Sequence, residues 1–159
     1  AARAAFGIEV VQAVAAEVGA GRVGIRISPS HNIQDVAETD ADDVRATYEA
    51  LIDGIAPLGL AYLSILHADP SSELVQNLRT RFGGVTVLNS GFGEVTDRDE
   101  AHALVDQDVA DAVAVGRPVI ANPDLVERWR GDHDENEPEQ ATFYADGARG
   151  YTDYPRLSA

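Results

Sequence analysis

Several residue types are absent from this 159-residue chain: it contains no cysteine, and all twelve of its basic residues are arginine. Without cysteine, the protein has no disulfide, no thiolate nucleophile and no thiolate metal site. Without lysine, a Schiff-base lysine and the phosphate-binding lysine of a Walker motif are both excluded. The ligand chemistry that remains is that of arginine, histidine, tyrosine and the carboxylates.

Positive charge and long apolar runs are also scarce. A formal net charge of −15 argues against nucleic acid and anionic membranes as partners, because their phosphates would be repelled over most of the surface. No segment approaches the roughly 20 apolar residues that span a bilayer, and the first residues lack the order of a signal peptide. With 45% hydrophobic residues, the sequence predicts one cytoplasmic, soluble domain over residues 1–159 without an internal boundary.

Helical and strand patterns alternate along the chain. Apolar residues at helical spacing predict a leading helix over 6–18 and further helices over 44–55, 74–82, 96–105 and 122–131. Short β-rich runs predict strands at 23–27, 62–66, 85–89 and 112–115. Thr96 begins a segment that resembles a capping box, and Asn122 with Pro123 predicts the start of the last helix. The pattern is therefore four βα units preceded by one helix.

Strands that alternate with helices are parallel, in either an open doubly wound sheet or a closed barrel. In the first strand, Gly24, Arg26 and Ser28 share one face, and the apolar residues share the other. One polar face is expected where strands line the mouth of a barrel. An open sheet covered on both faces would be apolar throughout, and its glycine-rich loop is missing here. We therefore predict a barrel architecture.

The segment 111–125 runs from an apolar strand through Gly116 and Arg117 towards the last helix. Backbone N–H groups at a glycine turn and an arginine fork together suit a phosphate dianion. The four histidines are far apart in sequence and have no metal-ligand spacing, so no metal site is predicted.

Five blocks carry a more specific signal: RVGIRISP (22–29), GLAYL (59–63), LNSGF (88–92), GRPVIANPDL (116–125), and TFY (142–144) with GYTDYP (150–155). Together and in this order they resemble the Old Yellow Enzyme family of FMN-dependent ene-reductases. The resemblance implies a (β/α)₈ TIM barrel of which this chain supplies the C-terminal half, with four βα units, a leading helix and a C-terminal tail. A complete barrel takes about 250 residues.

The resemblance implies roles for several residues. Arg26 would face the pyrimidine edge of the flavin, where a cation stabilises the reduced ring. Tyr144 would lie against the ring, and residues 150–155 would clamp the tail. The FMN-binding residues are expected to be Arg26, Ser90, Gly91, Phe92, Gly116, Arg117 and Tyr144, with the phosphate near the residues that follow the third and fourth strands. The catalytic residues are expected in the missing half.

Two functions remain open. In the first, the chain is the FMN-binding half of an ene-reductase that transfers hydride from NADH or NADPH, through the flavin, to an enone or nitroalkene. That function requires the N-terminal half of the barrel, on a second chain or in a longer parent. In the second, the chain is a non-catalytic half-barrel that pairs with a second copy of itself and binds FMN or another phosphate ligand.

Overall fold

A computed structural model describes residues 2–91 and 93–157, and its centre is one parallel sheet. The strands are β1 (Gly24–Ile27), β2 (Tyr62–Leu66), β3 (Thr86–Asn89) and β4 (Ala112–Val113), in the consecutive order β1-β2-β3-β4. The helices are α1 (Ala2–Val18), α2 (Ala41–Ile55), α3 (Glu73–Phe82), α4 (Arg98–Asp106), α5 (Arg117–Ala121) and α6 (Leu125–Gly131). This is the predicted succession of βα units.

The ends of the longer helices follow local chemistry. The Asp40 carboxylate accepts hydrogen bonds from the first backbone N–H groups of α2. The Ser72 hydroxyl accepts one at the start of α3, which ends where Gly83 adopts a φ of +65°. None of the helices in the described ranges is long and apolar enough to cross a bilayer.

The predicted start of α4 is wrong by one residue. The cap is Asp97, whose Oδ1 accepts a hydrogen bond from the Glu100 N–H at 2.8 Å. Thr96 is buried instead, and its hydroxyl lies 3.3 Å from that of Ser90. The hydroxyl of Thr96 is therefore engaged in the interior, and the exposed carboxylate beside it serves as the cap.

The predicted last helix also differs. The chain forms a short helix, α5, directly after Gly116, and α6 begins only at Leu125. Asn122 does not cap α6, because its amide donates to Pro118 O and Asn136 O and accepts from the Asn136 N–H. This buried side chain ties α5 to the tail.

The two faces of the sheet have different environments. On the helix face, Leu63, Ile65 and Leu88 are almost fully buried in a core with side chains of α1 to α4. The cleft face carries the alternate residues of each strand, which are more polar and include Arg26 and Asn89. This alternation confirms the prediction that Gly24 and Arg26 share one face and that the apolar residues of β1 lie on the other.

Gly24 is required by its neighbour on the cleft face. Gly24 and Tyr62 are partners in the parallel register of β1 and β2. The Tyr62 ring occupies the space in which a Cβ at position 24 would lie, so any larger residue would displace it. The ring thereby covers the beginning of β1.

Candidate functional site

A cleft of about 650 Å³ opens where the carboxyl ends of the strands meet. Its volume is within the range of pockets that bind small molecules and cofactors. The described residues that line it are Arg26, Ser64, Leu66, Asn89, Gly91, Glu94, Val95, Thr96, Ala114, Val115, Gly116, Arg117, Ile120, Phe143 and Tyr144. Ligands of parallel βα proteins bind at this end of the sheet.

The cleft brings together most of the predicted FMN-binding residues. Arg26, Gly91, Gly116, Arg117 and Tyr144 all line it, although they come from four separate parts of the chain. Ser90 is buried behind the wall, beside Thr96, so its side chain does not line the cleft. Phe92 lies outside the described residues. That these residues bind FMN stays a prediction.

The backbone after β3 turns at Gly91, which adopts a φ of +111°. Glycine adopts this conformation without the steric cost that a side chain would bring. A Cβ there would make only ordinary contact with Leu66, so the conformation, more than the available space, requires glycine. The turn places Gly91 in the same wall as Gly116 and Arg117.

The charge of the cleft differs from that of the whole chain. Two arginines line it, Arg26 from β1 and Arg117 at the beginning of α5. Glu94 is the single carboxylate among its described lining residues. In a protein with a net charge of −15, this is a local concentration of cations that favours an anionic ligand.

The tail supplies the aromatic side of the cleft through Phe143 and Tyr144. It is held by hydrogen bonds further along the chain: the Tyr154 hydroxyl accepts from the Glu139 N–H at 2.8 Å, and the Asp153 carboxylate accepts from the Gly150 N–H at 2.7 Å. Tyr144 itself is fully exposed. Its side chain is therefore available to a ligand or to another part of a barrel.

An ion pair between α6 and the turn before it fastens the end of the tail. Arg128, which is buried, donates from Nε to Asp124 Oδ1 at 2.8 Å and from a guanidinium nitrogen to Pro155 O at 3.0 Å. Asp124 Oδ2 accepts from the Leu157 N–H at 2.7 Å. These bonds from Leu157 and Arg128 hold the pKa of Asp124 below its usual value. The sequence reading missed this pair, although its i, i+4 spacing was visible.

Sequence reasoning also missed Asn89, which lines the cleft from the end of β3. Its Oδ1 is buried and has no hydrogen-bond partner among the described residues. The strand alternation that placed Arg26 on the cleft face also places Asn89 there, two residues beyond Val87. Applied to β3, the same pattern would have found it.

The parallel βα units, with a cleft at the carboxyl ends of their strands, form half of a (β/α)₈ barrel. Residues 1–136 match the NADH:flavin oxidoreductase / NADH oxidase family. The chain belongs to this family, which includes the old yellow enzymes and whose members bind FMN and use NADH or NADPH.

Curated relatives are matched over nearly all of this chain but over less than half of their own length. A putative 12-oxophytodienoate reductase 12 of Oryza sativa is 36% identical over 173 residues, which cover 99% of this chain and 41% of the relative. A probable flavin mononucleotide-dependent alkene reductase of Leishmania infantum is 33% identical and is likewise covered over 41% of its length, against 96% of this chain. The chain thus spans about two fifths of the length of these proteins.

Solved structures agree. Morphinone reductase in complex with tetrahydroNAD superposes with a TM-score of 0.85 at 41% identity, and the old yellow enzyme from Trypanosoma cruzi with 0.84 at 36%. In both cases, 98% of this chain covers 41% of the solved chain. The prediction of a partial barrel of the Old Yellow Enzyme family is confirmed.

Proposed function

We propose that this chain is the FMN-binding half of an NAD(P)H-dependent ene-reductase that acts on an enone or nitroalkene in the cytoplasm. The observation that carries the proposal is that one cleft gathers Arg26, Gly91, Gly116, Arg117 and Tyr144 from distant parts of the sequence. Membership of a flavin oxidoreductase family supports the cofactor, and the similarity to a probable alkene reductase of Leishmania infantum supports the alkene as substrate.

The donor set of the cleft fits FMN. Arg117, with the backbone at Gly91 and Gly116, would hold the phosphate, because a guanidinium offers two parallel N–H donors to a dianion. Arg26, on the opposite edge strand of the sheet, would face the ring. When bound, FMN supplies the capacity to accept hydride from a nicotinamide and to pass it to an activated carbon.

The activity requires the other half of the barrel, from a longer parent or a second chain. The outer edge of β1 has no neighbouring strand in the described sheet. On α1, Phe6, Val10, Val14 and Val18 form an exposed apolar stripe at i, i+4 spacing. Because an open edge and an apolar stripe favour association, we expect the chain alone not to be a stable monomer. A cooperatively melting monomer in native mass measurements at low concentration would contradict this.

The function is tested with the complete protein that carries this chain. We expect the purified protein to show the visible absorption of bound flavin, to lose it on anaerobic addition of NADH or NADPH, and to regain it on addition of 2-cyclohexenone or a nitroalkene. A protein that binds no flavin would overturn the proposal. Cell fractionation tests the proposed location.

The second candidate is a non-catalytic half-barrel that pairs with its own copy and binds FMN or another phosphate ligand. It is favoured by the outer edge of β1, which has no neighbouring strand in the described sheet and could pair with a second copy. Two copies would supply eight strands. A dimer of this chain that binds FMN yet never transfers hydride to 2-cyclohexenone would support this candidate over the first.

A further inference from the structure

We propose that Asn89 accepts a hydrogen bond from a hydroxyl on the sugar-alcohol chain of the bound flavin, between the ring and the phosphate. This inference rests on the proposed function, since it assumes that the cleft binds FMN. The proposed contact comes from a residue on an inner strand of the sheet, whereas Arg26 and Arg117 lie on or next to the two edge strands.

The position of Asn89 follows from the order and register of the strands. Arg26 lies on β1, Asn89 at the end of β3, and Arg117 directly after β4. Neighbouring strands are about 4.8 Å apart, so Asn89 is about two strand spacings from β1 and one from β4. A ligand whose ring is near Arg26 and whose phosphate is near Arg117 must pass Asn89 with its connecting chain.

The chemistry of the side chain also points to a ligand. Asn89 Oδ1 is a buried acceptor that lacks a partner among the described residues, and a buried polar atom without a partner is destabilising. The side chain as a whole is only partly buried and lines the cleft. The torsional minimum about its Cβ–Cγ bond is broad, so the amide is able to turn towards a ligand in the cleft.

The surroundings favour a hydroxyl donor. Leu66, the register partner of Asn89 on β2, is apolar, and Ala114 on the other side offers only a methyl group. None of the charged residues that line the cleft lies on β2 or β3: Arg26 is on β1, Glu94 follows β3, and Arg117 begins α5. A neutral acceptor between apolar neighbours suits a neutral donor, such as a secondary alcohol of the ribityl chain.

Three ligands separate the parts of the molecule: FMN, riboflavin, which lacks the phosphate, and lumiflavin, which lacks the hydroxylated chain as well. In the complete protein, we expect Asn89→Ala to weaken FMN and riboflavin by the same factor, about three- to tenfold, and to leave lumiflavin unchanged. The same variant without ligand should melt at an equal or higher temperature, because the partnerless acceptor is gone. The rise in melting temperature on addition of FMN should be smaller in this variant than in the unaltered protein.

Asn89→Leu, which keeps the branched shape but has methyl groups in place of the amide oxygen and nitrogen, repeats the test if the alanine variant does not fold. Val87→Ala is the matched control, since Val87 is on the same strand and face but does not line the cleft. We expect it to leave all three affinities unchanged. The inference is overturned if riboflavin loses no more affinity than lumiflavin in the Asn89 variants. If the unaltered protein binds none of the three flavins, the proposed function fails as well, and the two failures are thereby distinguished.

Discussion

The helix face and the cleft face of the sheet use neighbouring residues of the same strands for different purposes. On β3, Leu88 is fully buried in the core, while Val87 and Asn89 on either side of it are only partly buried on the cleft face. The helix face carries the packing that stabilises this half of the barrel. The cleft face leaves Val87 and Asn89 only partly covered by the described residues, which fits the proposal that a ligand and the other half of the barrel cover it.

The two faces also differ in whether their buried polar groups are hydrogen-bonded. On the helix face, Thr86 is fully buried, and both its N–H and its hydroxyl donate to Asp111 Oδ2 at 2.8 Å. On the cleft face, Asn89 Oδ1 has no partner among the described residues. The hydrogen-bonded Thr86 and the partnerless Asn89 oxygen therefore differ in the way the proposed contact with a ligand in the cleft requires.

The largest effect is expected from truncating adjacent side chains of β3. Leu88→Ala removes a fully buried side chain and should lower the free energy of unfolding by about 3 kcal/mol or more. Val87→Ala should cost less than about 1 kcal/mol, because that side chain is partly exposed. Denaturant unfolding of the complete protein measures both. Equal losses would show that the cleft face is as tightly packed as the helix face.

The next effect concerns the phosphate end of the cleft face. Arg117→Ala should weaken FMN binding by about 2 to 4 kcal/mol, because it removes a charge-assisted, bidentate contact and leaves part of the dianion unpaired. Riboflavin has no phosphate and should bind the variant as it binds the unaltered protein. Fluorescence titration with both ligands provides the comparison. If the variant lost as much affinity for riboflavin as for FMN, Arg117 would not be the residue that binds the phosphate.

Arg26→Leu should act on the ring and its potential. The substitution keeps bulk but removes a cation whose interaction with the reduced ring we put at about 1 to 3 kcal/mol. Since 1.4 kcal/mol corresponds to about 30 mV for a two-electron couple, the reduction potential of the bound flavin should fall by tens of millivolts. Spectroelectrochemistry on the flavin-loaded variant checks this. A potential that does not change would assign Arg26 to structure alone.

The smallest effect concerns the polar pair on the helix face. Hydrogen bonds from Thr86 hold the pKa of Asp111 below its usual value of 3.8. A lowered pKa means that this stabilisation is present above pH 3.8 and is lost as the pH falls through the folded-state value. Asp111→Asn should cost at most about 1 kcal/mol at neutral pH, because the carboxylate is partly exposed, and the difference should disappear in acid.

Asp108→Asn is the control for that substitution. Asp108 also pairs with Arg79, at 2.8 Å, but among the described contacts it makes no hydrogen bond to Thr86. Its effect on stability at neutral pH therefore measures an ion pair with Arg79 without the hydrogen bonds to Thr86. If the two substitutions cost the same, Arg79 rather than Thr86 is the source of the stabilisation by Asp111.

Much of the fold could be predicted, because each βα unit carries its own periodicity. Strand β2 has the predicted bounds, and β1 and β3 each begin one residue later than predicted. Strand β4 ends two residues earlier than predicted, at Val113. Two other errors fell on residues whose side chains contact residues outside the adjoining helix. Thr96 and Asn122 have the local chemistry of caps, but Ser90 and Asn136 engage them instead. Local patterns do not contain such tertiary contacts.

The site was predicted less completely. Arg26, Gly91, Gly116 and Arg117 were found because family resemblance and barrel chemistry both pointed to them. Asn89 was not predicted because a neutral amide within a strand has neither the charge of an arginine nor the turn preference of a glycine. Whether its oxygen has a partner depends on the packed neighbours of β2 and β4, and only the three-dimensional structure reveals that.

The consecutive order of the strands has a consequence for synthesis on the ribosome. Within the described sheet, each strand pairs only with those immediately before and after it in the sequence. This half of the sheet can therefore grow by one βα unit at a time as the chain emerges, and only closure of the barrel needs strands from the other half. Contacts between near neighbours in sequence also shorten the loops that must close during folding. Translation itself thus delivers the strands in their order of assembly.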